Sequence, residues 1–310
     1  MEVTAKMVKD LREMTGAGMM DCKKALAATE GDMDKAVEFL REKGLAAAEK
    51  KAGRIAAEGV VDVNISADGK VASIVEVNSE TDFVAKNEKF RDFVAAVAAQ
   101  ATKTSTTDLD SFLAEPWALD TAKTVKEELS SMIAVIGENM NIRRFEKVEA
   151  ANGFVCSYIH GGGRIGILVD VDTTVVNDEV QEAAKNVAMQ IAALSPKYVT
   201  QDEISADFIA HEKEIIKAQI ANDPANAKKP ENIIEKMMEG RLSKELKEFC
   251  LVDQVYVKDG DLTVGQYLAN VSKQVGSTVS VKRFVRFETG EGLEKKSENF
   301  AEEVAKQMGN

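Results

Sequence analysis

One order of elements occurs twice along this chain, and that repeat limits its possible folds more than any other feature. Residues 59–65 read as a strand, Ala67-Asp68-Gly69 as a turn, and 71–77 as a second strand. A helix follows at about 87–101, with Phe90, Phe93, Val94 and Val97 on one face. Further on, 154–159 is a strand, His160-Gly161-Gly162-Gly163 a turn, 164–171 a strand, and about 178–194 a helix. Each half closes on a matching strand, 141–149 and 280–288. The expected fold class is therefore α+β, with a core of two related antiparallel-sheet/helix subdomains built on hairpins.

Around this core the remaining segments read as helical. Residues 4–44 predict a three-helix unit, with Gly44 stopping the third helix and an Ala-rich basic linker over 45–57. The first half holds a helical stretch at about 118–136. The second holds, at the same place, an insertion over 202–250 whose two amphipathic helices flank a Pro/Asn loop, a helical hairpin. A short last helix is expected within 295–310. The division that follows is 1–54 for the N-terminal unit with its linker, 55–150 and 151–290 for the two subdomains, and 291–310 for a C-terminal module.

Charge and chemistry exclude several functions. A net charge of −12 argues against broad contact with a phosphate backbone. Cys22, Cys156 and Cys250 lie far apart without metal spacing and read as reduced buried thiols. With no apolar signal core and no membrane-length apolar run, a cytoplasmic protein is expected. Gly161-Gly162-Gly163-Arg164-Ile165-Gly166 fits the dinucleotide fingerprint letter for letter, yet a strand follows it where that fingerprint needs a helix. It reads as a hairpin turn. His160 heads that turn, and His211 lies in the insertion as a surface residue. Asp170 and Asp172 share one strand face and read as solvated. No nucleophile, base and orienter fall together, and no cofactor or metal is implied.

One junction stands out. From Glu76 to Lys86 the chain changes from strand to helix, with Thr81 or Asp82 as the helix cap and Phe83 beside a carboxylate. Local pattern suits Phe83 and Val84 as a hydrophobic staple folded on their own helix. An apolar side chain presented outward is the alternative. Met19 and Met20 pose the same choice, between core and an adaptable contact patch.

The segment 11–26, Leu-Arg-Glu-Met-Thr-Gly-Ala-Gly-Met-Met-Asp-Cys-Lys-Lys-Ala-Leu, resembles the N-terminal signature of the bacterial translation elongation factor Ts family. Residues 76–86 resemble its second signature, and Gly137-Glu138-Asn139-Met140-Asn141-Ile142-Arg143-Arg144 and 290–295 are also similar to it. The likeness covers essentially the whole chain in the family's order. The turn after His160 carries one Gly more than the family's usual form. The resemblance implies a UBA-like N-terminal domain, a two-part core, a coiled-coil insertion and a C-terminal module. It further implies guanine-nucleotide exchange on elongation factor Tu, GDP-bound and nucleotide-free, with no chemical catalysis and no direct nucleic-acid or membrane partner. Thr81, Asp82, Phe83 and Val84 would then displace Mg²⁺ from the partner, His160 would be a second contact, and Met19, Met20 and Lys23 further ones. The other reading left open is an adaptor that binds a partner helix through Met19 and Met20.

Overall fold

The computed structural model describes residues 3–226 and 229–294. Its centre is two three-stranded antiparallel sheets with the same connectivity. In the first half, β1 (Glu58–Ile65), β2 (Val71–Ser79) and β5 (Met140–Glu149) lie in the order β1-β2-β5. In the second, β6 (Phe154–His160), β7 (Ile165–Thr173) and β10 (Val279–Glu288) lie in the order β10-β7-β6. The repeat extends to irregularities: β5 slips register against β2 after Glu76, and β10 slips against β7 at the matching place, between Val281 and Arg283. Each sheet backs onto a helix whose apolar face the sequence marked, α5 (Glu88–Lys103) and α8 (Asp178–Leu194). The two sheets then meet through Val61, Ile74, Val148, Leu168, Val285 and Phe287. Gly166 makes that contact possible, because a Cβ there would stand 2.4 Å from Val61 Cγ1 and 3.1 Å from Ile74 Cδ1.

The helical expectation for 118–136 is too long. Residues Pro116–Trp117 and Asp120–Thr124 form a small hairpin, β3 and β4, and α7 (Val125–Ile136) starts only after it. Thr124 and Glu127 close a capping box at that start. The counterpart of α7 is not the insertion but α11 (Val264–Val275), which follows its own hairpin β8 (Val255–Tyr256) and β9 (Asp259–Thr263) and its own box, Thr263 with Gln266. The insertion stands instead where the first half has the six-residue α6 (Leu109–Ala114). It is a helical hairpin, α9 (Ala206–Asn222) and α10 (Glu231–Phe249), with a small core of Ile216, Ile220 and Leu242.

At the N-terminus α1 (Ala5–Thr15) and α2 (Met19–Ala28) pack on α3 (Met33–Lys51) around Leu11, Cys22, Ala25, Leu26 and Ala36. Gly44 does not stop the third helix, because α3 runs Met33–Lys51 through most of the expected linker. Glycine costs a helix interior about 1 kcal/mol relative to alanine. Here α3 packs on α7 at this point, where a Cβ at 44 would make ordinary contact with the Ser130 carbonyl oxygen (3.6 Å) and Ala134 Cβ (3.8 Å). Arg41 adds bonds to the Ala122 carbonyl (3.1 Å) and to Glu127 (2.9 Å). Close packing outweighs local propensity. The helix expected within 295–310 lies outside the described residues. Among the described residues, no helix is long and apolar enough to cross a membrane.

Candidate partner-binding site

The junction after β2 is a second place where the two halves differ. Asn87 caps α5 and Asn177 caps α8, each through its side-chain oxygen. Asn87 lies eight positions beyond Ser79, the last paired residue of β2, whereas Asn177 lies four beyond Thr173, the last of β7. The four additional residues of the first half make a one-turn helix, α4 (Asp82–Ala85). Helix nucleation is unfavourable, so a single turn needs outside support. Thr81 supplies the cap, its Oγ1 accepting from the Val84 N–H (3.4 Å). Val84 and Ala85 turn inward and join the core of the first half. Val84, 9 % exposed, therefore anchors the helix.

Phe83 does the opposite. It is 80 % exposed, so the staple is not formed, although solvent exposure of a phenylalanine is unfavourable by about 1.5–3 kcal/mol relative to burial. Beside it Asp82 takes a hydrogen bond from Lys86 Nζ (2.6 Å), which holds its carboxyl below the usual range and keeps it ionised at neutral pH. An anion and a bare aromatic ring thus share one exposed turn.

The glycine-rich turn faces the same region. Gly161, Gly162 and Gly163 all have positive φ, at 59°, 66° and 102°. The Val61 N–H donates to the Gly163 carbonyl (2.7 Å), and Arg91 Nη2 on α5 donates to that of Gly162 (2.9 Å). The turn is fastened to the first half at both points. Between it and α4 lies a polar cleft of about 220 Å³, lined in part by Glu58, Asp82, Lys86, Arg91, Gly162 and Arg164. His160 is exposed at the end of β6, its Nδ1 2.9 Å from the Tyr158 hydroxyl. The structure thus brings α4 and the glycine-rich turn to one cleft from distant parts of the chain, with Asp82 in its lining but neither Phe83 nor His160 among the described residues that line it. Met19 (59 % exposed), Met20 (63 %) and Lys23 form a separate exposed surface at the start of α2.

Several residues that hold this site were not singled out by the sequence. Glu138 accepts from both the N–H (3.1 Å) and the hydroxyl (2.7 Å) of Thr81. Glu80 accepts from the Asn139 N–H (2.6 Å) and from Arg54 (3.4 Å). Behind them Glu76, fully buried, receives Arg143 (3.0 Å), Arg144 (2.6 Å), Asn78 (3.0 Å) and the Gly290 N–H (2.8 Å). Burial alone would raise its carboxyl; the Gly290 N–H, Asn78 and the two guanidinium groups more than offset that, and it ends below its ordinary value. The thiols lie at the other extreme, with burial pushing Cys156 and Cys250 up to about 11, so neither is a ready thiolate.

A braced turn thus shows an aromatic ring and a charge to solvent. Comparison with known proteins gives the particular family. The family model described as Elongation factor TS matches residues 80–291. Elongation factor Ts of Clostridioides difficile (strain 630) is 55 % identical over 306 residues, covering 99 % of each chain. That of Clostridium novyi (strain NT) is 54 % identical over the same length and coverage. The chain belongs to the elongation factor Ts family, whose place is in the elongation stage of protein synthesis.

Proposed function

We propose that this protein is the guanine-nucleotide exchange factor for elongation factor Tu. It binds the GDP-bound form, disturbs the Mg²⁺ and phosphate site, promotes GDP release and is displaced by GTP. The observation that carries this reading is Phe83, exposed on a turn that the fold goes to some length to hold in place. A GTPase holds GDP largely through loop amides, a lysine and Mg²⁺. Inserting Phe83 between elements beside that site, with the Asp82 carboxylate directed at the metal region, leaves phosphate charge uncompensated. His160, at the end of β6, makes a second contact. Thr81 and Val84 serve by holding the turn. Met19, Met20 and Lys23 supply a further contact, with the chain dividing at about 54, 150 and 290.

Magnitudes require such a spread. A ten-thousand-fold faster release needs about 5.5 kcal/mol off the barrier. Burying one Phe contributes about 1.5–3 kcal/mol. Several points of contact must act together. The coupling is also reciprocal, so GDP weakens this protein's hold on the GTPase as much as this protein weakens that of GDP. The test is stopped-flow release of fluorescent GDP from elongation factor Tu at saturating Mg²⁺. Acceleration that rises with the concentration of this protein supports the reading, and an unchanged release rate overturns it.

A further inference from the structure

We infer that Glu138 is a positioning residue for the exchange reaction: its carboxylate clamps Thr81 and so sets the direction in which α4 presents Phe83. The inference rests on the exchange reading above. Its geometric basis lies at the end of the β2–β5 ladder, where Ser79 opposite Met140 is the last backbone pair. The next two positions on each strand would be Glu80 opposite Asn139 and Thr81 opposite Glu138. Both are joined instead through carboxylates, Glu80 taking the Asn139 N–H and Glu138 taking the N–H and hydroxyl of Thr81. Sheet pairing is thereby prolonged by side chains while the backbone of β2 is released to turn into α4.

Thr81 connects this clamp to the helix. Its hydroxyl donates to Glu138 Oε1, and the same oxygen accepts the Val84 N–H that starts α4. The Ser79 hydroxyl donates to the Thr81 carbonyl (3.1 Å) as a third restraint. Glu138 itself is half-buried and follows Gly137, whose left-handed φ of 91° ends α7. The acid therefore stands in the short connection between α7 and β5, and what it orients is a single turn that Thr81 caps at its start.

The second half is the internal control. Its ladder ends at Thr173 opposite Val279, and Asn177 follows with no counterpart of α4. The positions matching Glu80 and Glu138 hold Thr174 and Ser277, linked only by a hydroxyl pair at 2.8 Å. The bidentate acid occurs in the half that has an aromatic ring to aim.

The experiment uses the full chain with Glu138→Ala, Glu138→Gln, Phe83→Ala and the Glu138→Ala/Phe83→Ala pair. GDP release from elongation factor Tu and amide hydrogen exchange over 84–86 of the free protein are followed together. Expected for Glu138→Ala is about a tenfold loss of exchange rate, equivalent to about 1.4 kcal/mol. Faster hydrogen exchange at the α4 amides should accompany it, with an unchanged melting temperature. Glu138→Gln, which keeps one acceptor, should recover part of both. In the Phe83→Ala background Glu138→Ala should add clearly less than the tenfold seen with the ring present, since only Asp82 is left on the turn to aim. A full additional tenfold loss in that background, or α4 amides as protected as in the parent, overturns the positioning role while leaving the exchange reading intact. If Phe83→Ala itself releases GDP as fast as the parent, the exchange reading of the turn fails and this inference with it.

Discussion

The two halves place an acid at the same point of the central strand and treat it in opposite ways. Glu76 on β2 and Asp170 on β7 each lie three positions before the last ladder pair and next to the register slip of the closing strand. Around Glu76, Asn78 donates to the carboxylate, and Arg143 and Arg144 turn in to meet it. At the matching places of the second half, Asp172 replaces the amide, and Arg283 pairs with Glu146 across the molecule. Asp170 therefore keeps the effects of burial and then of the Asp172 charge, both of which raise its pKa; Arg283, Lys282 and Lys70 lower it too little to compensate. Duplication of a fold does not duplicate its electrostatics. The half that carries α4 has a neutralised, hydrogen-bonded hub behind it, and the other half has a frustrated acid.

The strongest way to test that division of labour is to make the first half like the second. Deleting residues 82–85 gives β2 and α5 the short connection of β7 and α8. Exchange activity should fall at least as far as in Phe83→Ala, for which the lost burial of one ring predicts about 10–150-fold. Phe83→Ala should leave stability within about 0.5 kcal/mol of the parent, because the ring touches little in the free protein. Denaturant unfolding beside the release assay checks both. A Phe83→Ala protein that unfolds much earlier would mean the ring is structural after all.

Next in size is the hub. Glu76→Gln leaves two guanidinium groups facing a neutral amide. It should cost about 2–3 kcal/mol, less than for a fully enclosed pair because Arg143 and Arg144 are only half-buried. The folded pKa of Glu76 lies below its unfolded value, so its contribution is present above about pH 4.5 and is lost as the pH falls through the folded pKa. The difference between parent and variant in urea should therefore shrink on acidification. A difference constant from neutral pH into the acid range would remove the ionic account. His160→Ala comes lower, at about threefold in GDP release, since among the described residues its side chain bonds only Tyr158 and its ring is already exposed. A loss equal to that of Phe83→Ala would make the His160 turn the principal contact.

How far these features could be read from the chain follows from their range. Strands, the repeat and the apolar faces of α5 and α8 are local periodicities and were legible. Phe83 was legible as a candidate but not as exposed, because a staple and a presented ring share one pattern; what separates them is Val84, which takes the inward position. The α3 continuation through Gly44 accompanies packing on α7 near Ser130 and Ala134, which lie more than eighty positions away. Glu138 escaped for the same reason. Its meaning appears only once Ser79 is known to end opposite Met140 and the halves are aligned to show four residues too many. The solvated reading of Asp170 was incorrect because packing of the two sheets buries that face of β7.

Asp172→Asn is the smallest change and bears most directly on the comparison, since it gives the second half the amide that serves Glu76 in the first. The folded pKa of Asp170 is raised, which means that stability is lost as the pH rises from the ordinary aspartate value through the folded one. Removing the Asp172 charge takes away one of the causes, and the amide put in its place supplies a donor for the carboxylate that remains. Stability at neutral pH should rise by about 0.5–1 kcal/mol, within the range of a single cross-face charge effect. As the pH falls below the ordinary aspartate value Asp170 becomes protonated in both proteins, so the gain should shrink there. Urea unfolding at the two conditions decides it. A gain that persists unchanged in acid would show that packing, and not repulsion between two carboxylates on one strand face, limits the second half.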